Sequence, residues 1–204
     1  MKIFILGATG QTGTLLTKRL VESGAEVKAY VRDSKRMKIE ANNLVIEEGE
    51  VHNIDQLTKS MKGYDVVVSC LGGNANKKDY VLARLIKNVV DAMNVNGISR
   101  IVSISSAGIE NELGFIGGIF VVLFYKNAIN DHKQAANYIK ENTKNYTIVR
   151  PLSLVNGETT ENYRISELGV PKRSSKISRE DLSHFMFDVI INSKYIGKSV
   201  CPAY

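Results

Sequence analysis

Three glycines near the start of the chain constrain its fold more than any other feature. Gly7, Gly10 and Gly13 follow an apolar run at residues 3–6 and precede a helical pattern of leucines and a valine. An apolar run without alternation indicates a strand that is buried on both faces of a parallel sheet. A strand, a glycine-rich turn and a helix in this order are typical of a dinucleotide-binding βαβ unit.

Each glycine has a predicted role in this interpretation. The first forms the tight turn, the second lets a pyrophosphate approach the backbone because it has no Cβ, and the third lets the helix pack close to the strand. The phosphates would meet free N–H groups at the positive end of the helix dipole. The alternative is a glycine-rich turn that holds no ligand, and the strand–turn–helix context favours the nucleotide. The predicted cofactor-binding residues of this turn are Gly7, Thr9, Gly10, Gln11, Thr12 and Gly13.

The end of the second predicted strand, residues 25–31, indicates which cofactor is bound. An acidic residue there bonds the ribose 2′-hydroxyl of NAD, whereas a basic residue accommodates the 2′-phosphate of NADP. Arg32 stands at this position, with Ser34 and Arg36 within reach, and a guanidinium binds a phosphate through paired hydrogen bonds. We therefore predict NADP(H) in preference to NAD(H). Asp33 could instead bond the ribose hydroxyl, and a solvated basic turn is the alternative without a ligand.

Strand and helix patterns alternate along the rest of the chain, and only residues 152–176 look irregular. This alternation predicts an α/β fold, a Rossmann-type doubly wound parallel sheet, in a single domain that covers residues 1–204. The further predicted strands lie at residues 43–47, 64–70, 100–106, 146–151 and 199–201. The further predicted helices lie at residues 54–61, 80–94 and 131–142, and after a capping box at residues 178–181.

Ligands of open α/β sheets bind at the carboxyl ends of the strands, which supply more candidates. Glu50 and Val51 follow the third strand and are predicted to border the adenine. Leu71, Gly72 and Gly73 follow the fourth strand, where glycine lets the backbone approach the cofactor ribose. A plain turn between strand and helix explains these three residues equally well.

Two serines at the end of the fifth strand are the catalytic candidates. Ser105 and Ser106 would face the nicotinamide, where a hydroxyl can orient a substrate carbonyl or the carboxamide. The alternative is a pair of hydroxyls that cap the end of the strand.

Together these features resemble the atypical short-chain dehydrogenase/reductase group of NAD(P)H-binding proteins, which includes NmrA-like proteins. Within this group the chain most resembles the family of biliverdin-IXβ reductases, also called flavin reductases, over nearly its whole length. The most specific matches are residues 7–13, 31–34, 131–132 and 177–186. The resemblance implies NADPH-dependent hydride transfer to flavins or tetrapyrroles, with Ser106 beside the nicotinamide. It also places Pro151, Leu152 and Ser153, after the sixth strand, at the cofactor.

Two departures from the resemblance concern proton transfer. Ser153 stands where the family has a histidine, and a serine cannot supply an imidazole's proton at neutral pH. The Tyr-x-x-x-Lys pair of ordinary short-chain dehydrogenases is absent, because the residue four positions before Lys133 is Ile129 and not a tyrosine. Dehydrogenation of alcohols or sugars by that mechanism is therefore not expected. Hydride transfer to a flavin remains possible, since its charge is delocalised and water can supply the proton.

The predicted substrate region combines residues of about 106–130 and about 151–178. Lys172 and Arg173 are candidates to attract an anionic acceptor such as FMN or a tetrapyrrole propionate. Phe115 belongs to an aromatic, glycine-containing segment at residues 115–125 that could form the wall of an apolar pocket. A mobile lid, a subunit contact and the start of a buried helix are the alternatives for this segment.

Bulk composition limits the partners and the compartment. The formal net charge of +6 comes without a nucleic-acid-binding motif, and an anionic small molecule explains the basic clusters at least as well. The apolar run at 115–125 is too short to span a bilayer. The two cysteines, Cys70 and Cys201, indicate a reducing compartment and have no metal-ligand spacing. We expect a cytoplasmic monomer or weak homodimer that binds no metal, nucleic acid or membrane.

Two functions remain open at this point. The first is an NADPH-dependent oxidoreductase that transfers hydride to a flavin or a similar planar, conjugated acceptor. The second is a non-catalytic NADP(H)-binding sensor of the NmrA type, which the missing Tyr-x-x-x-Lys pair favours and the compact length opposes.

Overall fold

A computed structural model describes residues 1–72, 81–110, 112 and 125–204 of the chain. Of the predicted site residues, Gly73 and Phe115 lie outside the described residues. The described strands are β1 Lys2–Leu6, β2 Glu26–Val31, β3 Leu44–Glu48, β4 Val66–Ser69, β5 Arg100–Ile104, β6 Asn145–Val149, β7 Ser153–Val155, β8 Arg164–Ser166, β9 Lys176–Ser178 and β10 Lys198–Ala203. The described α-helices are α1 Gln11–Glu22, α2 Ile54–Met61, α3 Val81–Val95, α4 Lys126–Asn142 and α5 Arg179–Ile191.

The central sheet has the strand order β3-β2-β1-β4-β5-β6-β10-β8. Its strand pairs are parallel except for the β10–β8 pair at one edge. The strand order reverses at β1, because β2 and β3 lie on one side of it and β4 to β6 lie on the other. The predicted Rossmann-type α/β sheet is confirmed, and the reversal opens a crevice at the carboxyl ends of β1 and β4.

Side chains of β1 alternate between two hydrophobic layers, so both faces of the sheet are covered. Ile3 and Ile5 pack in a core with residues of α1 and α5. Phe4 and Leu6 pack in a second core with residues of α2, α3 and α4. This burial on two faces explains why β1 appears in the sequence as a continuous apolar run.

Two predictions of local structure need correction. Residues 152–176 are not wholly irregular, because they contain β7, β8 and the start of β9. These strands are three residues long and their partners are distant in sequence, so no alternating pattern predicts them. Helix α4 begins at Lys126 rather than at residue 131, and its N-cap residue Tyr125 makes no side-chain cap that could mark the start.

The predicted N-cap of α5 is confirmed, but its second hydrogen bond is different. Ser178 Oγ accepts from the backbone N–H of Asp181 at 2.9 Å. The Asp181 carboxylate does not return to Ser178; it accepts from the backbone N–H groups of Thr160 and Glu161, both at 2.8 Å. The hydroxyl of Tyr204 accepts from Ser178 N–H and donates to Asp181. Asp181 thus joins the start of α5 to the preceding loop and to the last residue.

Both cysteines are free thiols. Burial raises the pKa of Cys70 to about 12 and that of Cys201 to about 11, so neither is a thiolate at neutral pH. Among the described residues, no three His, Cys, Asp or Glu side chains are grouped so as to hold a metal ion. In the same part of the chain, no helix has the length and apolar character needed to cross a membrane.

A buried ion pair ties the end of β6 to the segment after β5. The Arg150 side chain is fully buried and pairs with Glu112, and Glu110 lies 3.4 Å from its guanidinium. The same guanidinium donates to the backbone oxygens of Gly169 and Ser199. Four chain segments therefore depend on one cation.

Arg150→Met should lower the free energy of unfolding by about 3–5 kcal/mol, because the Glu112 carboxylate would stay buried without its partner. Glu112 has only 3% of its side chain exposed. Lys140→Met is the matched control, since Lys140 pairs with Glu110 at a site where both side chains are about one-third exposed. It should cost at most about 1 kcal/mol. Urea denaturation measures the free energy of unfolding of both variants. Equally small losses would contradict the claim that Arg150 compensates the buried Glu112 carboxylate.

Candidate functional site

Two of the three glycines are required by close backbone contacts at the end of β1. Gly7 has a φ of +74°, and a Cβ at this position would lie 2.5 Å from the carbonyl oxygen of Cys70. A Cβ at Gly13 would lie 2.1 Å from the carbonyl oxygen of Gly7. Gly7 therefore permits the turn against the end of β4, and Gly13 permits α1 to pack directly on that turn.

The start of α1 has the features of an anion-binding site. Gly10 is the N-cap residue, has no side chain to cap the helix, and is exposed. The first turn of α1 contains no acidic residue. The positive end of the helix dipole thus faces the crevice without a carboxylate of its own first turn to neutralise it, which suits a phosphate group.

Two cavities flank the glycine turn and share Gly10, Gln11 and Arg179. The first has a volume of about 480 Å³ and is lined by Thr9, Gly10, Gln11, Thr14, Leu15, Asn156, Gly157, Arg179 and Glu180. The second has a volume of about 300 Å³ and is lined by Gly10, Gln11, Thr12, Gly13, Cys70, Leu71, Gly72, Ile104, Ser105, His132, Leu154 and Arg179. All six predicted residues of the glycine turn except Gly7 line one of these cavities.

The structure separates the two candidate serines. Ser105 is 8% exposed and lines the smaller cavity, and its hydroxyl has no hydrogen-bond partner among the described residues. Ser106 lines neither cavity, and its hydroxyl donates to the carbonyl oxygen of Ala107 at 3.1 Å. A buried hydroxyl without a partner costs about 1–3 kcal/mol, so its presence beside a cavity points to a ligand. The geometry therefore favours Ser105, whereas the family resemblance favoured Ser106.

His132 is a site residue that the sequence analysis did not identify. It lines the smaller cavity, and its Nδ1 is buried without a partner among the described residues. The adjacent Asp131 carboxylate accepts from the backbone N–H groups of Leu82 and Ala83, which anchors α4 to the start of α3. Burial lowers the pKa of His132, against the smaller opposing effect of Asp131. The only sequence signal was the Asp-His pair within the resemblance, which carried no stated role.

A carboxylate that was not predicted lies among the proposed 2′-phosphate ligands. Arg32 is exposed just after β2, and Asp33 caps the short 3-10 turn that contains Ser34 and Arg36. The backbone N–H of Ser34 donates to the carboxylate of Glu48, at the end of β3, at 2.7 Å. Hydrogen bonds from Ser34 hold the pKa of Glu48 below its usual range. A 2′-phosphate would therefore compete with Glu48 for Ser34.

The structure brings the other predicted cofactor residues to the cavities only in part. Leu71 and Gly72 line the smaller cavity. Glu50 is exposed, but Val51 is only 8% exposed and packs in the hydrophobic core, which leaves little of its side chain for adenine. The sequence could not show this, because Val51 follows β3 as an isolated apolar residue.

The predicted residues after β6 and β8 are not among the residues that line the two cavities. Pro151, Leu152 and Ser153 line neither cavity, whereas the following residue, Leu154, does. Lys172 and Arg173 are exposed and line neither cavity. A role of these five residues toward cofactor or substrate stays a prediction.

Comparisons with known proteins agree with this geometry. A sequence model of a family described as NAD(P)H-binding matches residues 7–193. An uncharacterised chloroplastic protein of Arabidopsis thaliana is 30% identical over 174 residues, which cover 79% of this chain and 62% of the relative. The chain thus spans less than two-thirds of the length of that relative.

Solved structures share the fold at low sequence identity. A short-chain dehydrogenase/reductase from Veillonella parvula, in complex with NADP, superposes with a TM-score of 0.87 at 23% identity over 100% of this chain and 94% of that chain. ChuY, described as an anaerobillin reductase from Escherichia coli O157:H7, superposes with a TM-score of 0.84 at 16% identity over 99% and 96% of the two chains. At these identities the likeness establishes the fold alone.

The His132 imidazole should titrate below the ordinary histidine pKa of about 6.5, because burial disfavours its charged form. The unfolded chain then takes up a proton first as the pH falls. The resulting loss of stability is absent above about pH 6.5 and grows as the pH decreases toward the lowered pKa. An NMR titration of the imidazole signals measures the pKa, with His132→Gln used to assign them. A pKa at or above the ordinary value would refute the burial argument.

Proposed function

The chain belongs to the NAD(P)H-binding family, and from this premise we propose that it is an NADPH-dependent oxidoreductase acting on a flavin or a similar planar, conjugated acceptor. One observation carries the proposal: the buried, unpartnered hydroxyl of Ser105 in the cavity beside the glycine turn. A hydroxyl kept free at the carboxyl end of β5 suits a ligand that enters the crevice from the glycine turn. The cofactor fits the residues present, because the uncapped start of α1 offers N–H groups to its phosphates.

The residues of the site bind and orient the reactants. When bound, NADPH supplies a hydride to the acceptor, and solvent supplies the proton that completes the two-electron reduction. The glycine turn holds the phosphates, and the Ser105 hydroxyl orients the nicotinamide carboxamide or a carbonyl of the acceptor. The smaller cavity has apolar side chains in its wall, from Leu71, Ile104 and Leu154, against which a planar acceptor can pack. Rate enhancement by positioning is the expected mechanism.

A conjugated acceptor agrees with the proton donors that the site offers. The resemblance aligns Ile129 with the tyrosine of ordinary short-chain dehydrogenases, so no phenol is expected there to protonate an alkoxide. His132 is the imidazole in the cavity wall, and its lowered pKa makes it a neutral hydrogen-bonding group at pH 7 rather than a strong acid. An acceptor that spreads negative charge over a ring system needs no strong acid at the moment of hydride transfer.

The same observation at Ile129 favours one other function, a non-catalytic NADP(H) sensor. Oxidation of NADPH with FMN, riboflavin, biliverdin and a quinone as acceptors separates the two functions. Turnover with any of them supports the oxidoreductase. Tight NADPH binding with no turnover on any of the four acceptors would contradict the oxidoreductase and would support the sensor.

Ser105→Ala should reduce kcat about tenfold, because one hydrogen bond that orients the reactants is lost. The dissociation constant of NADPH should change much less. Ser106→Ala is the matched comparison, since Ser106 lies next in the chain and its hydroxyl bonds Ala107; we expect near-normal turnover. Steady-state kinetics with the best acceptor measures both variants. A greater loss in Ser106→Ala would restore the assignment made from the resemblance.

Arg32→Ala should weaken NADPH binding at least about tenfold and leave NADH almost unchanged, because the guanidinium contacts only the 2′-phosphate. Glu48→Gln should act in the opposite direction. It removes a negative charge beside the phosphate but keeps an oxygen for Ser34 N–H, so NADPH should bind about threefold more tightly. Fluorescence titrations of the unmodified protein and of both variants give the dissociation constants of NADPH and NADH. Equal losses of NADPH and NADH in Arg32→Ala would exclude the assignment.

A further inference from the structure

Arg179 occupies a position that the stability of its own helix does not explain. It is the first residue of α5, directly after the N-cap residue Ser178. A cation at the start of a helix interacts unfavourably with the helix dipole. The next two residues, Glu180 and Asp181, are the acidic residues that a first helical turn favours.

Arg179 forms no ion pair with the carboxylates that the structure describes. Its side chain donates to Asn156 Oδ1 at 2.9 Å. Among the described residues, no carboxylate lies within 4.0 Å of its guanidinium, whereas the nearby Arg19 pairs with Glu180 at 2.8 Å. A guanidinium carries five N–H donors, so donors remain available for an anion.

Arg179 also lies where the two cavities meet. It lines both of them, and in each it stands with Gly10 and Gln11 at the uncapped start of α1. A cation and a helix N-terminus thus border the same space; Glu180, which also lines the larger cavity, is paired with Arg19. The unpartnered Ser105 hydroxyl, in the wall of the smaller cavity, is independent evidence that this space receives a ligand.

We infer that Arg179 binds the diphosphate of the nicotinamide cofactor, as a cationic side chain that acts together with the N–H groups of the glycine turn. The inference rests on the proposed function, because it takes the crevice to be the cofactor site. A diphosphate has two adjacent phosphate groups. It therefore matches a site that combines helix N–H groups with the paired N–H donors of a guanidinium. The diphosphate is common to NADPH and NADH, so Arg179 contributes to binding but not to the choice between them.

The experiment measures the dissociation constants of NADPH and NADH for the full-length protein and three variants. Arg179→Gln should weaken both nucleotides by the same factor, about tenfold. Arg179→Lys should recover part of the lost affinity, because lysine restores the positive charge but not the paired N–H donors of the guanidinium. Arg164→Gln is the control, since Arg164 is exposed, bonds Ser174 and lines neither cavity; it should leave both constants unchanged.

Salt dependence gives a second readout that altered folding would not produce. Screening weakens a charge–phosphate contact, so the NADH affinity of the unmodified protein should fall as salt rises. The Arg179→Gln variant should show a smaller decrease. Circular dichroism verifies that the variant is folded.

The outcomes distinguish this inference from the proposed function. Unchanged binding in Arg179→Gln, or a loss confined to NADPH, would overturn the inference while the proposed function stands. Binding without turnover on any acceptor would overturn the proposed function and leave the role of Arg179 intact. An unmodified protein that binds neither nucleotide would overturn both.

Discussion

The contact between two backbone segments, at Gly7 and Gly13, is the constraint on which the rest of the site depends. A side chain at either glycine would overlap a carbonyl oxygen, so α1 can start directly at the end of β1 only without one. This start places the uncapped N-terminus of α1 at the reversal of strand order, where β4 and β5 also end. The uncapped start of α1, the smaller cavity and the Ser105 hydroxyl are neighbours because this turn is tight.

Buried polar atoms in the wall of the crevice differ from those of the scaffold because they lie beside a cavity. In the scaffold, the buried Arg150 has carboxylate and carbonyl partners, although its Nε has none among the described residues, and the buried Asp181 accepts from two backbone N–H groups and two hydroxyls. In the wall of the crevice, Ser105 and His132 each keep a buried polar atom without a partner among the described residues. The scaffold also holds buried atoms without a partner, such as the Tyr30 hydroxyl, but Ser105 and His132 line a cavity, which is why they indicate a ligand site.

The sequence was sufficient for features that depend on local pattern and insufficient for those that depend on distant contacts. Every strand of the central sheet except β8 lies within about two residues of its predicted bounds, because apolar runs or alternation mark these strands in the sequence. The glycine turn was predictable because its three glycines lie close together in the chain, between a strand pattern and a helix pattern. The short strands β7 and β8, and the approach of Glu48 to Ser34, arise from residues far apart in the chain. Likewise, the order Ser-Ser at the end of β5 does not reveal which hydroxyl faces the cavity.

The most direct test of the account is an NMR titration of isotopically labelled protein with NADPH. We predict that the amide signals of residues 10–13 and of Ser105, together with the His132 side chain, shift in parallel with one dissociation constant. These groups lie at the start of α1, directly after β5 and on α4, and all of them line the smaller cavity. Shifts confined to the exposed basic residues Lys172 and Arg173, or no shifts at all, would contradict the assignment of this crevice as the cofactor site.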